Sequence, residues 1–236
     1  MNNVKVRLYA VDWLRGLALL GMVGFHVFVI LEFLKLADVD THALGFAIWA
    51  KVVQVLFVGI VGVAMVLSYQ RRKEGFVCRQ VLRAALIFLM AEIVSAATYL
   101  MVGHLYVKFG ILHFIALGVL ILAPLISRKL LLLVLAFVAV FLGPIFAQIS
   151  TDISILYIFG FRINGGEALD YFPIFPWISV MAVGALFTWY GRGVFEWMSR
   201  QRFPLLEWMG RHTLAIYMLH VPIILVILFF LGYDLL

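Results

Sequence analysis

Charge is what this chain has least of. Only 13% of its 236 residues are Asp, Glu, Lys or Arg, and 66% are hydrophobic. A soluble domain carries about a quarter charged residues and about half apolar ones. That excludes a single soluble core of this length, so lipid must solvate much of the surface. Cysteine is nearly missing as well. Cys78 stands alone, which excludes an internal disulfide, a CxxC redox pair and the Cys/His spacing of a zinc site. The chain has no low-complexity tract and no clear internal repeat, and it reads as one domain over residues 1–236. It also lacks a GxSxG elbow, a P-loop and a dinucleotide fingerprint. The six histidines are His26, His42, His104, His113, His212 and His220. No two of them have the i, i+3 or i+4 spacing of common helical metal pairs, so no metal is expected.

What the chain does have is long apolar runs. A spanning helix needs roughly 20 such residues. Seven candidates follow: Tyr9–Phe33, Leu44–Tyr69, Gln80–Met101, Phe109–Ile126, Leu130–Gln148, Tyr171–Tyr190 and Thr213–Leu231. The expected fold is therefore an all-α polytopic membrane bundle of about seven helices. The first run is too long for a secretory signal core of ~7–15 residues, and no small-residue cleavage site follows it, so it reads as a retained helix.

The net charge of +6 sits in short runs between the apolar stretches. This points to topology signals and anionic partners at a membrane, not to nucleic acid. One set of connections holds Lys5 and Arg7, then Arg71, Arg72, Lys73 and Arg79, then Arg128 and Lys129, then Arg192, Arg200 and Arg202. The other holds Asp38 and Asp40, the stretch from Gly103 to Lys108, the long loop from Ser150 to Asp170, and a tail with Asp234. Lys/Arg excess marks the cytoplasmic side, so seven spans predict N-in, C-out.

Ionisable residues inside spans are costly and are functional candidates by default. Asp12 and Arg15 are three apart on the first helix, and His26 lies eleven residues further on. Eleven residues is close to three turns, so the three share one face, with Arg15 and His26 about 17 Å apart along the axis. The plain alternative is that Arg15 snorkels to the headgroups with Asp12 as its partner, and that His26 is a hydrogen-bonded packing residue. His42, Glu92, His113 and Asp170 fall near the same external depth as His26 on other helices. Imidazoles beside carboxylates suit proton transfer near neutral pH. At the cytoplasmic end, Arg15, Arg83 and Arg211 sit at or inside helix ends and are suited to holding phosphates.

Four blocks carry a family resemblance. They are Val11-Asp12-Trp13-Leu14-Arg15-Gly16 through Met22 with His26, Phe109-Gly110-Ile111-Leu112-His113, Asp170-Tyr171-Phe172-Pro173-Ile174-Phe175-Pro176-Trp177, and Gly210-Arg211-His212-Thr213-Leu214 through His220. In order and extent they resemble the catalytic domain of heparan-alpha-glucosaminide N-acetyltransferase, in its small prokaryotic branch. The resemblance implies a membrane acetyltransferase that takes an acyl group, chiefly acetyl, from cytosolic acetyl-CoA. The group passes to a hydroxyl or amine of an extracytoplasmic sugar or glycoconjugate. It also implies the cell membrane of a prokaryote. The family's catalytic histidine lies at the external start of the second helix, the place of His42. The wider superfamily points instead to a first-helix histidine, the place of His26. The chain is shorter than the lysosomal enzyme and lacks its lumenal domain, so the acceptor is not carried over.

On this reading His26 or His42 is the base or nucleophile, with His113, Glu92 and Asp170 orienting it or binding the acceptor. Asp12, Arg15, Arg83, Arg211 and His220 are expected to line the acyl-CoA path. The lipid bilayer is an obligatory partner, and a homodimer is compatible with the sequence. Buried His, Glu and Asp also make proton relays, so a proton-coupled transporter or channel is the competing reading, followed by a non-catalytic scaffold.

Overall fold

The computed structural model describes residues 8–233. Lys5, Arg7 and Asp234, which carry the charge argument at the chain ends, lie outside the described residues. Eight α-helices follow in order: α1 Tyr9–Phe33, α2 Leu44–Arg71, α3 Phe76–Val102, α4 Ile111–Leu122, α5 Lys129–Phe146, α6 Ile174–Met198, α7 Pro204–Arg211 and α8 Thr213–Phe230. Among the described residues there is no strand, only isolated bridges between Phe109 and Tyr171 and between Ser150 and Arg162. Among the described residues, six helices are long and apolar enough to cross a bilayer: α1, α2, α3, α5, α6 and α8. The chain is an integral membrane protein with an all-α fold.

The fourth expected span is helical but short. α4 has 12 residues, about 18 Å at 1.5 Å per residue, against a hydrocarbon core of ~30 Å. A tight 3-10 turn at Ala123–Leu125 ends it, with Pro124 in that turn. α6 begins later than expected and runs further. Its first turn is broken at Phe175, which has extended backbone angles, as a segment with Pro173 and Pro176 requires. α7 was not expected. It is too short to span, and Pro204 opens it where a proline costs no hydrogen bond.

The chain packs as two compact units. The first joins residues 1–57 with 193–236, and the second comprises 58–192. Unit one contains α1, the start of α2, the end of α6, α7 and α8. Here α7 lies directly on the first half of α1. A side-chain carbon on Gly16 would overlap the Leu206 carbonyl, and one on Gly210 would overlap that of Asp12. Glycine is needed at both places because the two backbones touch, the usual device for close helix contact in a membrane. A salt bridge pins the start of α7. The Arg202 guanidinium donates twice to the Glu207 carboxylate, at 2.8 and 2.9 Å, and stacks 3.6 Å over the Tyr9 ring. Glu207 also accepts the Phe203 N–H at 3.2 Å, capping the helix. These bonds hold the Glu207 carboxyl below the usual carboxylate range, with the Arg202 hydrogen bonds the main cause.

In unit two, α2 and α6 use the same device. Side-chain carbons on Gly62 and Gly184 would strike the Met181 and Gly59 carbonyls. The long loop before α6 is well tied. Tyr157 and Tyr171 stack with ring centroids 4.1 Å apart. The Tyr171 hydroxyl donates to the Tyr157 carbonyl, and the Tyr157 hydroxyl to that of Gly166, each at 2.6 Å. Burial raises both phenols, Tyr171 to about 12, so both stay protonated donors at neutral pH. Lys108 donates to the Gly165 and Glu167 carbonyls and closes the loop.

Candidate functional site

Two of the residues read as a stripe on α1, Arg15 and His26, meet partners on the C-terminal helices of unit one. At the start of α1 Asp12 is buried, and Arg15 lies 3.9 Å from its carboxylate. Arg15 also donates to the Gly210 carbonyl of α7 at 3.3 Å. Arg211, the last residue of α7, is exposed. Eleven residues along α1, half-buried His26 meets buried His220 of α8, ring centroids 4.8 Å apart and planes at 86°. His26 Nδ1–H donates to the Met22 carbonyl at 2.9 Å, and His220 Nδ1–H to that of Tyr217 at 2.5 Å. His220 Nε2 is buried with no hydrogen-bond partner among the described residues. His42 is exposed just ahead of α2, its backbone N–H held by the Asp40 carboxylate at 2.9 Å. An aromatic cluster of Phe25, Phe28, Phe46 and Trp49 packs between the neighbouring turns of α1 and α2.

Glu92, His113 and Asp170 all belong to unit two, and they converge on the start of α4. His113 is the third residue of that helix, and its Nδ1 accepts the Gly110 N–H at 3.2 Å. Nδ1 is therefore unprotonated, and the ring carries its hydrogen on Nε2, 3.3 Å from the Glu92 carboxylate. The His113 side chain is buried and that of Glu92 is half exposed. Asp170 does not open α6. Its carboxylate accepts the Ile111 N–H at 2.9 Å, because the Phe109–Tyr171 bridge and the Phe172 N–H bond to Phe109 lay this segment against α4. Ser95 and Tyr99, which follow Glu92 on α3, turn to the connection after that helix. The Ser95 hydroxyl donates to the Val107 carbonyl, and Tyr99 packs against Tyr106. Arg83 is exposed on α3.

Sequence reasoning placed Asp12, Arg15 and His26 on one face of α1 but left the partner helices undetermined. It also passed over Gln54 and Gln80, each with a buried Oε1 that has no partner among the described residues. A lone amide inside an apolar run was the available signal. Among the described residues, no group of three His, Cys, Asp or Glu is placed to hold a metal ion. Compared with known families, residues 7–222 match the model described as heparan-alpha-glucosaminide N-acetyltransferase, catalytic. No curated protein and no solved structure gives a significant match.

Proposed function

The chain belongs to the family of the heparan-alpha-glucosaminide N-acetyltransferase catalytic domain, and from that membership we propose that it is a membrane acetyltransferase drawing on cytosolic acetyl-CoA. The acceptor is an amine or hydroxyl of an extracytoplasmic sugar or glycoconjugate. The membrane is the cell membrane of a prokaryote, with the N-terminus inside. One observation carries the reading: a single helix, α1, bears a cationic group at one end and a paired imidazole at the other, about 17 Å apart by helix rise.

Arg15 and Arg211 offer the charge that would hold CoA phosphates, and Arg83 is a further candidate on unit two. The Asp12 carboxylate and the Gly210 carbonyl hold the Arg15 guanidinium against the end of α7. His26 is the general base. Its Nδ1–H is tied to the backbone, so the neutral ring presents an Nε2 lone pair. The acceptor's lone pair attacks the thioester carbonyl carbon and its proton moves to His26 Nε2. The C–S bond then breaks, and the proton passes to the departing thiolate. His42 stands exposed on the acceptor side. Glu92, His113 and Asp170 hold the start of α4.

The test is transfer of labelled acetyl from acetyl-CoA to a panel of amino sugars and sugars by purified protein in vesicles. Wild type transfers, H26N falls at least 100-fold, and R15Q raises the KM for acetyl-CoA about tenfold. Absence of both transfer and CoA binding in wild type overturns the reading. Loss in H42N with retention in H26N moves the base to His42.

A further inference from the structure

α7 is too short to span a bilayer, yet the face it turns away from α1 is apolar. Leu205 is 70% exposed and Trp208 50% exposed, and their spacing of three puts them on one face. Phe203, just before the helix, and Trp197, near the end of α6, are exposed as well. The opposite face of α7 holds Glu207 and Gly210, both buried. The cations flank the apolar face: Arg200 precedes the helix and Arg211 ends it, both exposed. Residues 193–213 carry three arginines and two glutamates. One of the glutamates, Glu207, is buried and bound to Arg202. The other is Glu196, which is exposed.

The depth of this face follows from α1. That helix has 25 residues, about 37 Å at 1.5 Å per residue, more than the ~30 Å of a hydrocarbon core. Its first turn therefore reaches the headgroup layer. α7 meets α1 at Asp12 and Gly16, within about 11 Å of that end by helix rise. A helix at this boundary with tryptophan and leucine on one face and arginines beside them has the make-up of an interfacial helix. A second copy docked face to face would bring arginines against arginines. A neutral lipid covers the apolar side chains and leaves the arginines without a counter-charge. An anionic phospholipid supplies both parts, and arginine binds phosphate bidentately. We propose that the outer face of α7 is a docking site for anionic phospholipids, with acyl chains over Leu205 and Trp208 and phosphates at Arg200 and Arg211. The docked lipid holds α7 in its seat on α1, where the Gly210 carbonyl receives Arg15. This inference concerns the outer face of α7 and stands apart from acetyl transfer.

The test uses the full chain in phosphatidylcholine vesicles that contain brominated phosphatidylcholine or brominated phosphatidylglycerol at the same mole fraction. Bromine quenches a tryptophan it touches. The chain has six tryptophans, so the Trp208 signal is taken as the difference between wild type and W208F. Brominated phosphatidylglycerol is expected to quench that signal at lower mole fraction than brominated phosphatidylcholine. R200Q is expected to reduce the preference about fivefold, and R200Q/R211Q to remove it. Should the double variant fail to fold, the drop in R200Q alone decides. Equal quenching of wild type by the two lipids overturns the proposal, as does a preference unchanged in the arginine variants. Quenching of Trp208 by neither lipid also overturns it, since a second copy or another protein then covers the face.

Discussion

His113 shows how one side chain can look catalytic in sequence and be occupied in structure. Its two nitrogens are both engaged, one by the Gly110 N–H and one by the Glu92 carboxylate. The bond to Gly110 is the back half of a capping box, a place that glutamine or glutamate commonly fills. H113A leaves a buried backbone N–H unpaired and is expected to destabilise by about 1–3 kcal/mol. H113Q restores an acceptor of similar reach and is expected to recover more than half of that. Thermal melts of the detergent-solubilised protein check both values. Equal losses in the two variants count against the capping role. The sequence marked His113 because polar groups are rare in apolar runs, and Asp170 because it falls near the same external depth. It did not reveal that their partners are backbone amides of α4, because that depends on the segment after a twenty-residue loop folding back on Phe109.

At the level of elements, the long helices were legible because lipid demands an unbroken apolar run, and α1 was read to both of its ends. α7 was not legible. Its eight residues hold only a few apolar positions, and its place is set by two glycine contacts and the Arg202–Glu207 pair. That pair has a pH signature. A carboxyl whose value is lowered by folding stabilises fully above its unfolded value near 4.5 and loses that contribution as pH falls through the lowered value. Wild type is therefore expected to melt above E207Q at neutral pH, with the gap closing steadily below about pH 4.5. A gap that stays constant from neutral to acid pH shows that Glu207 acts through shape alone.

At the level of the whole molecule, the claim most open to direct measurement is orientation. Basic residues crowd the α2–α3 connection, where Arg79 donates to the Arg72 and Glu74 carbonyls and closes the turn. The single cysteine, Cys78, lies exposed beside it. With the N-terminus inside, a membrane-impermeant thiol reagent is expected to label Cys78 in inverted vesicles and leave it unmodified in intact cells. Labelling from the outside overturns the proposed topology and, with it, the proposed side of acetyl-CoA entry. The charge pattern is the ground on which this orientation is proposed. It could not show the packing into two units, because hydropathy records only that a residue prefers an apolar surrounding, whether lipid or protein supplies it.

The shortness of α4 bears on the lipid as well as on the protein. Twelve residues do not match the thickness of the hydrocarbon layer, so a crossing built on α4 would put non-helical backbone on either side of the helix at apolar depth. Val107, Phe109, Ala123 and Ile126 flank it and are all buried, which is how irregular chain survives there. The cost of hydrophobic mismatch in such a crossing would be shared between a shielding coat of protein and a local thinning of the bilayer. The composition of the surrounding lipid, chiefly its acyl-chain length, would then be one of the conditions that tune this part of the molecule.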